Sequence, residues 1–250
     1  VEAVSRLVRP FFPIRVPQKD AWHSILILKP CCIGDVLQST ALVTALHQAF
    51  PQARLGYAVG PWSRSVLEHN LRLDVLVDTG AVVGGRPHKW RSYLSCARRL
   101  RRGRWDACFI LERSPLFSLA AWLAGIRDRI GPDSSGRGVA LPVRVPTRPR
   151  RQEAEAYLDL ARAVGIEANV SCTEFYPSPA DHAEVECVLA GNAHRMVILA
   201  PGGGVNPGTV LLAKRWPAER FGALAARFSA RGYTPVIIGG SQDQQLGAQV

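Results

Sequence analysis

Two segments of this chain combine residue types that could do chemistry. The first is Lys29-Pro30-Cys31-Cys32-Ile33-Gly34-Asp35, between an apolar run and an amphipathic one. A carboxylate at the mouth of a cleft can accept a proton from an attacking hydroxyl. An aspartate ahead of a helix is equally a preferred N-cap, with Gly34 permitting the turn, so spacing leaves both roles open for Asp35. The second is Ala200-Pro201-Gly202-Gly203-Gly204-Val205-Asn206-Pro207-Gly208-Thr209, followed by Lys214-Arg215-Trp216-Pro217. A glycine loop lets backbone amides approach an anion, and Lys214 and Thr209 could bring charge and a hydroxyl to phosphates. The alternative is a surface loop in which Pro217 starts a helix and Trp216 packs. Gly239-Gly240-Ser241-Gln242-Asp243 follows a third apolar run, where Asp243 would either meet a ribose or close a turn.

Other chemistries lack their motifs. Gly208 is followed by Thr209 rather than Lys, so the P-loop pattern fails, and neither GxGxxG nor GxSxG occurs. The six histidines form no HExxH. The six cysteines form no CxxC, and Cys31 and Cys32 are adjacent. No metal site and no cofactor are expected. The longest apolar stretches fall far short of the ~20 residues that cross a bilayer. No secretory signal follows Val1, and the missing initiator methionine leads us to expect a piece of a longer, cytoplasmic chain.

The formal net charge is +11, and residues 176–250 carry only six basic and five acidic residues, so the surplus lies before them. Such a surface concentrates anionic partners: nucleic acid, anionic lipid or phosphorylated glycans. The run Arg98, Arg99, Arg101, Arg102 and Arg104 reads as a solvated helix end whose charge complements the helix dipole. No helix-turn-helix, zinc finger, RNP or KH pattern accompanies it, so no specific nucleic-acid partner is expected.

The elements that must position these segments alternate. Strands are predicted at 25–28, 54–59, 75–78, 107–111 and 128–130, with helices at 36–50, 61–68, 92–101, 116–124 and 152–164. The composition of 132–151, rich in Gly, Pro, Ser and Arg, predicts a loop. A connector near 175–179 precedes a helix at 180–190, a strand at 196–200, a helix at 217–230 and a strand at 235–238. Strands apolar on both faces alternating with helices indicate an α/β fold with parallel sheets covered on both sides. We therefore expect an N-terminal arm (1–23), a first lobe (24–175) and the start of a second (176–250), which holds too few strands to be complete. The arm, with Val4, Leu7, Val8, Phe11 and Phe12 among arginines and prolines, is either an interfacial anchor or a segment packed on the lobe.

Taken together, these segments resemble the heptosyltransferase family. Ile25 to Leu28 leading into Ile33-Gly34-Asp35-Val36 is similar to the family's opening strand and IGD loop, and Leu46 to Pro51 to the end of its first helix. Pro201-Gly202-Gly203, Lys214-Arg215-Trp216-Pro217, Phe221 and Leu224, with Gly239-Gly240 and Asp243, are similar to its donor-lobe signature. Cys31, Cys32 and Ala41 depart from the family's usual residues, and its later Asp-Thr-Gly stretch does not occur before Val250.

The resemblance implies a GT-B-like fold of two Rossmann-like, doubly wound lobes and an inverting, metal-independent glycosyltransferase. Its donor would be a nucleotide sugar, ADP-heptose favoured, and its acceptor the lipid-linked inner core of lipopolysaccharide. Asp35 would be the catalytic base. Lys214, Thr209, Gly202, Gly203 and Asp243 would bind the donor, and Lys29 and Gly34 would belong to the acceptor-side loop. The enzyme would act in the cytoplasm, with a contact to the inner face of the cytoplasmic membrane. The competing readings are a GT-B enzyme for another nucleotide sugar and a non-catalytic basic binding protein.

Overall fold

The computed structural model describes residues 11–80, 89–134, 138–169, 172–189, 195–203, 205–206, 209–210 and 212–250. The chain divides into two compact units, Val1–Tyr176 and Pro177–Val250.

The first unit is built on strands β1 (Ser24–Leu28), β2 (Arg54–Val59), β3 (Val75–Asp78), β4 (Ala107–Ile110), β5 (Asp128–Asp133) and β6 (Val143–Pro146). They form one sheet in the order β3-β2-β1-β4-β5-β6, every pair parallel. Side chains alternate across a strand, which explains the unbroken apolar run of β1. Ile25 and Ile27 pack with helices α1 (Ile33–Gln38), α2 (Thr40–Ala49) and α5 (Glu153–Arg162) on one face. Leu26 and Leu28 pack with α3 (Trp90–Arg101) and α4 (Pro115–Leu123) on the other.

Three predicted elements of the first unit differ. The helix expected over 36–50 starts earlier, at Ile33, and breaks at Ser39. Hydroxyls of Ser39 and Thr40 donate to the carbonyls of Val36 and Leu37, each at 2.7 Å, and the Ser39 hydroxyl also bonds the buried Tyr57 hydroxyl at 2.5 Å. The helix expected at 61–68 is a 3-10 turn over Pro61–Val66. Within the loop expected at 132–151, β5 continues to Asp133 and β6 is an edge strand; Val143 to Pro146 pair with Ile130 to Asp133. An edge position tolerates Pro146, so a composition that reads as loop still pairs. Residues 135–137 lie outside the described residues.

Residues 1–10, with Val4, Leu7 and Val8 of the expected stripe, also lie outside them. From Phe11 the arm packs on the first unit. Phe12 is buried edge-on against Trp122 at 5.3 Å, Arg144 donates to its carbonyl at 2.7 Å, and the Arg15 amide donates to Pro142 at 3.2 Å.

The second unit holds α6 (Pro179–Leu189), β7 (Met196–Leu199), a short antiparallel pair β8 (Val205–Asn206) and β9 (Thr209–Val210), a 3-10 turn (Leu212–Lys214), α7 (Ala218–Ser229), β10 (Thr234–Ile237) and α8 (Gln244–Gly247). Strands β7 and β10 run parallel, with α7 between them in the chain. The glycine segment thus carries a hairpin where only a loop was expected. Among the described residues of both units, no helix is long and apolar enough to cross a membrane.

Candidate active site

In an open parallel sheet, ligands bind beyond the carboxyl ends of the strands, where the strand order reverses. Here that point lies between β1 and β4, whose last residues Leu28 and Ile110 are paired. The chain leaves β1 into Lys29, whose amide donates to Ala58 at 3.1 Å, and leaves β4 into Leu111, whose amide donates to Leu28 at 3.0 Å. Lys29 and Glu112 therefore emerge side by side.

The Lys29 ammonium lies 3.0 Å from Glu112 Oε1 and 3.1 Å from Asp35 Oδ2, with only 9% of its side chain exposed. Burial pulls its proton affinity down, but the charges of Glu112 and Asp35 and their hydrogen bonds outweigh this and hold it above the ordinary lysine value. The lysine is thus a buried, permanent cation shared by two carboxylates. Glu112 is 13% exposed and Asp35 37%, so Asp35 is the one open to solvent.

Asp35 is not an N-cap. It lies in the first turn of α1, and the N-cap position belongs to Cys32, whose carbonyl accepts the Val36 amide at 2.9 Å. The positive φ of the turn, 92°, also falls on Cys32 rather than on Gly34. At Gly34 a Cβ would meet nothing within 4 Å, which leaves space beside Asp35. The Cys31 and Cys32 sulfurs are 3.0 Å apart, and burial followed by the Cys32 contact pushes the Cys31 thiol up to about 12, so it stays protonated at neutral pH.

Helix α5 is tied to α1, with the Ala154 amide donating to Gln38 Oε1 at 3.3 Å. Glu153 takes an ion pair from Arg113 at 3.1 Å. The Tyr157 hydroxyl is buried without a hydrogen bond of ordinary geometry. Burial, then the charges of Asp35, Glu153 and Glu112, keep it firmly protonated.

In the second unit the structure brings together Gly202, Gly203, Asp243 and Arg215. A Cβ on Gly202 would lie 2.4 Å from Asp243 Cγ, so only glycine fits there. Gly203 has φ 104°, open to glycine without cost. Arg215 donates to the Gly203 carbonyl at 3.0 Å and pairs with Asp243 at 3.3 Å, while Asp243 Oδ2 accepts the Gly240 amide at 3.1 Å. Lys214 is exposed at the end of its 3-10 turn. Thr209 lies on β9 opposite Asn206, and its side chain lies outside the description, as do Gly204, Pro207 and Gly208.

Sequence reasoning missed two members of these clusters, Glu112 and Arg215 as a tie. A signal for Glu112 existed: it sits two residues past the strand that neighbours β1. For Arg215 none existed, because its partners lie 12 and 28 residues away. Among the described residues, no group of three or more His, Cys, Asp or Glu side chains could hold a metal ion.

Residues 93–249 match the family described as glycosyltransferase family 9 (heptosyltransferase). Over 243 residues the chain is 26% identical to lipopolysaccharide heptosyltransferase 2 of Escherichia coli (strain K12), a match covering 90% of this chain and 66% of that protein. It is 25% identical over 240 residues to the protein of the same name from Salmonella typhimurium, with the same coverage. The chain thus spans just under two thirds of the length of these relatives. Among solved structures, the glycosyl transferase family 9 protein from Veillonella parvula matches with a TM-score of 0.74 at 21% identity, covering 94% of this chain and 67% of that one. The E. coli ADP-heptose lps heptosyltransferase II matches with a TM-score of 0.70 at 22% identity, covering 90% and 67%. These likenesses show a GT-B-like α/β fold. With the family's match extending over more than half of its length, the chain belongs to glycosyltransferase family 9, the heptosyltransferases.

Proposed function

We propose that the whole protein transfers a heptose from ADP-heptose to the inner core of lipopolysaccharide, with inversion and without a metal ion. The observation that carries this reading is the half-exposed Asp35 carboxylate, held beside a buried Lys29 at the point where the strand order reverses. Asp35 takes the proton of an acceptor hydroxyl as its oxygen bonds to the anomeric carbon. The bond from that carbon to the ADP oxygen breaks on the opposite face. The electron pair leaves with ADP, and Lys214, the amides of Gly202 and Gly203 and the Thr209 hydroxyl offset the developing charge. Both oxygens of Asp243 are already engaged, by Arg215 and by the Gly240 amide. A carboxylate has about four acceptor positions, so Asp243 can still meet the donor ribose.

The enzyme works in the cytoplasm, against the inner face of the membrane that carries its acceptor. Phe11, Ile14 and Val16 of the arm and Trp122 and Leu123 of α4 are exposed, with Arg15 and Arg127 beside them. Apolar anchors rimmed by cations suit an anionic lipid surface.

Calorimetric titration of ADP and UDP into the whole protein, with EDTA present, tests the donor side. ADP-selective binding is expected. Equal affinity for UDP would move the reading to another nucleotide sugar, and no binding of either to a non-catalytic relative.

A further inference from the structure

The Lys29 contact to Asp35 is half of an arrangement whose other half, Glu112, has no part in the reaction proposed above. A lysine ammonium is a compact charge on a flexible four-carbon stem, with three donors that one carboxylate does not orient. Here a second carboxylate, two residues past the end of a different strand and only 13% exposed, takes one of those donors at 3.0 Å. Glu112 and Lys29 follow the paired ends of β4 and β1 at the centre of the sheet, whereas Asp35 sits on the short α1 that follows the Cys31-Cys32 turn.

We propose that Glu112 is a positioning residue for transfer, acting through Lys29. Resting on the reading of Asp35 as base, its role is geometric. It fixes the ammonium against β1 and β4, so that Lys29 engages Asp35 Oδ2 at 3.1 Å and leaves Oδ1 for the acceptor hydroxyl. Tyr157, Glu153 and Arg113 bound the same cluster but make no hydrogen bond or ion pair to Lys29. Without Glu112 the ammonium follows the motion of its stem, and Asp35 follows it. A displacement near 1 Å at a reacting group can cost up to about a hundredfold in rate.

The test measures ADP release from ADP-heptose by the whole protein for Glu112→Ala, Glu112→Gln, Lys29→Met, the double variant Glu112→Ala/Lys29→Met, and Asp35→Asn. Expected for Glu112→Ala is a kcat about tenfold or more below wild type, with donor and acceptor KM within about twofold. Glu112→Gln, whose amide oxygen still accepts from Lys29, keeps at least about a third of the wild-type kcat. The double variant is no slower than Lys29→Met alone, because Glu112 acts only through Lys29. If the lysine variants do not fold, the Ala and Gln pair decides. An Ala variant at wild-type turnover, a Gln variant as slow as Ala, or losses that multiply in the double variant would overturn the positioning role. With Asp35→Asn inactive in that experiment, the base reading survives such a result. Wild-type turnover by Asp35→Asn removes both.

Discussion

The two candidate sites are built on opposite principles. In the first unit, the candidate site is made of side chains: a buried ammonium between two carboxylates, beyond the ends of adjacent strands of a six-stranded sheet. In the second it rests on backbone: glycines that clear space, tied by Arg215 and Asp243, beside an exposed Lys214. A buried charged cluster is sensitive to the loss of any member, because the remaining charges are left without partners. An exposed backbone site, if it binds the phosphates proposed above, loses affinity in small steps, since water can replace each contact.

That contrast can be broken or sharpened by substitution. The largest effect is expected for Asp35→Asn in the whole protein, a fall in kcat of about 10²- to 10⁴-fold with the fold retained, measured by ADP release. Next is Lys29→Met, which leaves Asp35 and Glu112 facing each other without their cation. Breaking a buried pair costs about 3–5 kcal/mol, and the first unit's denaturant midpoint should fall accordingly. Gly202→Ala follows. Its Cβ must displace the Asp243 carboxylate, an overpacking cost of about 1–3 kcal/mol confined to the second unit and readable as lost exchange protection around Gly240. Smallest is Lys214→Ala, expected to weaken ADP about tenfold in calorimetry and to leave thermal stability unchanged, as suits an exposed side chain.

The pH dependence of stability separates the sites too. The folded-state value of Lys29 is raised above that of an unfolded lysine, about 10.4. Its stabilisation is therefore fully present below that pH and is lost only as pH rises toward the folded value. Wild type should show no lysine-dependent loss of stability between about pH 6 and 9. Above about pH 10.4 its stability should fall toward that of Lys29→Met in urea titrations; parallel curves there would place the cation outside the folded-state balance.

Much of the first unit can be read from residue order. The unbroken apolar run Ser24 to Leu28 marks a strand covered on both faces, and the alternation of strands with helices marks a parallel sheet, since both patterns are local. Strand β6 was not legible: Val143 to Pro146 has the composition of a loop, and its pairing with β5 is a long-range fact. The break at Ser39 was hidden as well, because the hydroxyl that helps set it bonds Tyr57 on a neighbouring strand. Of the sites, the IGD, glycine and Lys214-Arg215-Trp216-Pro217 motifs were visible as strings, while the place of Glu112 beside Lys29 and the ties of Arg215 to Gly203 and Asp243 were not.

Asp35, Lys29, Gly202, Gly203 and Asp243 could be named from motif and spacing because each stands at the end of an element whose period is written locally. Whether Asp35 capped a helix or faced a cleft depended on where the backbone turned, and the turn fell at Cys32, which places the carboxylate inside α1 beside Lys29. Glu112 reached the same ammonium from 83 residues away because β4 pairs with β1. Strand order is a property of the folded sheet, settled by which apolar faces bury one another, and no local period in the chain encodes it.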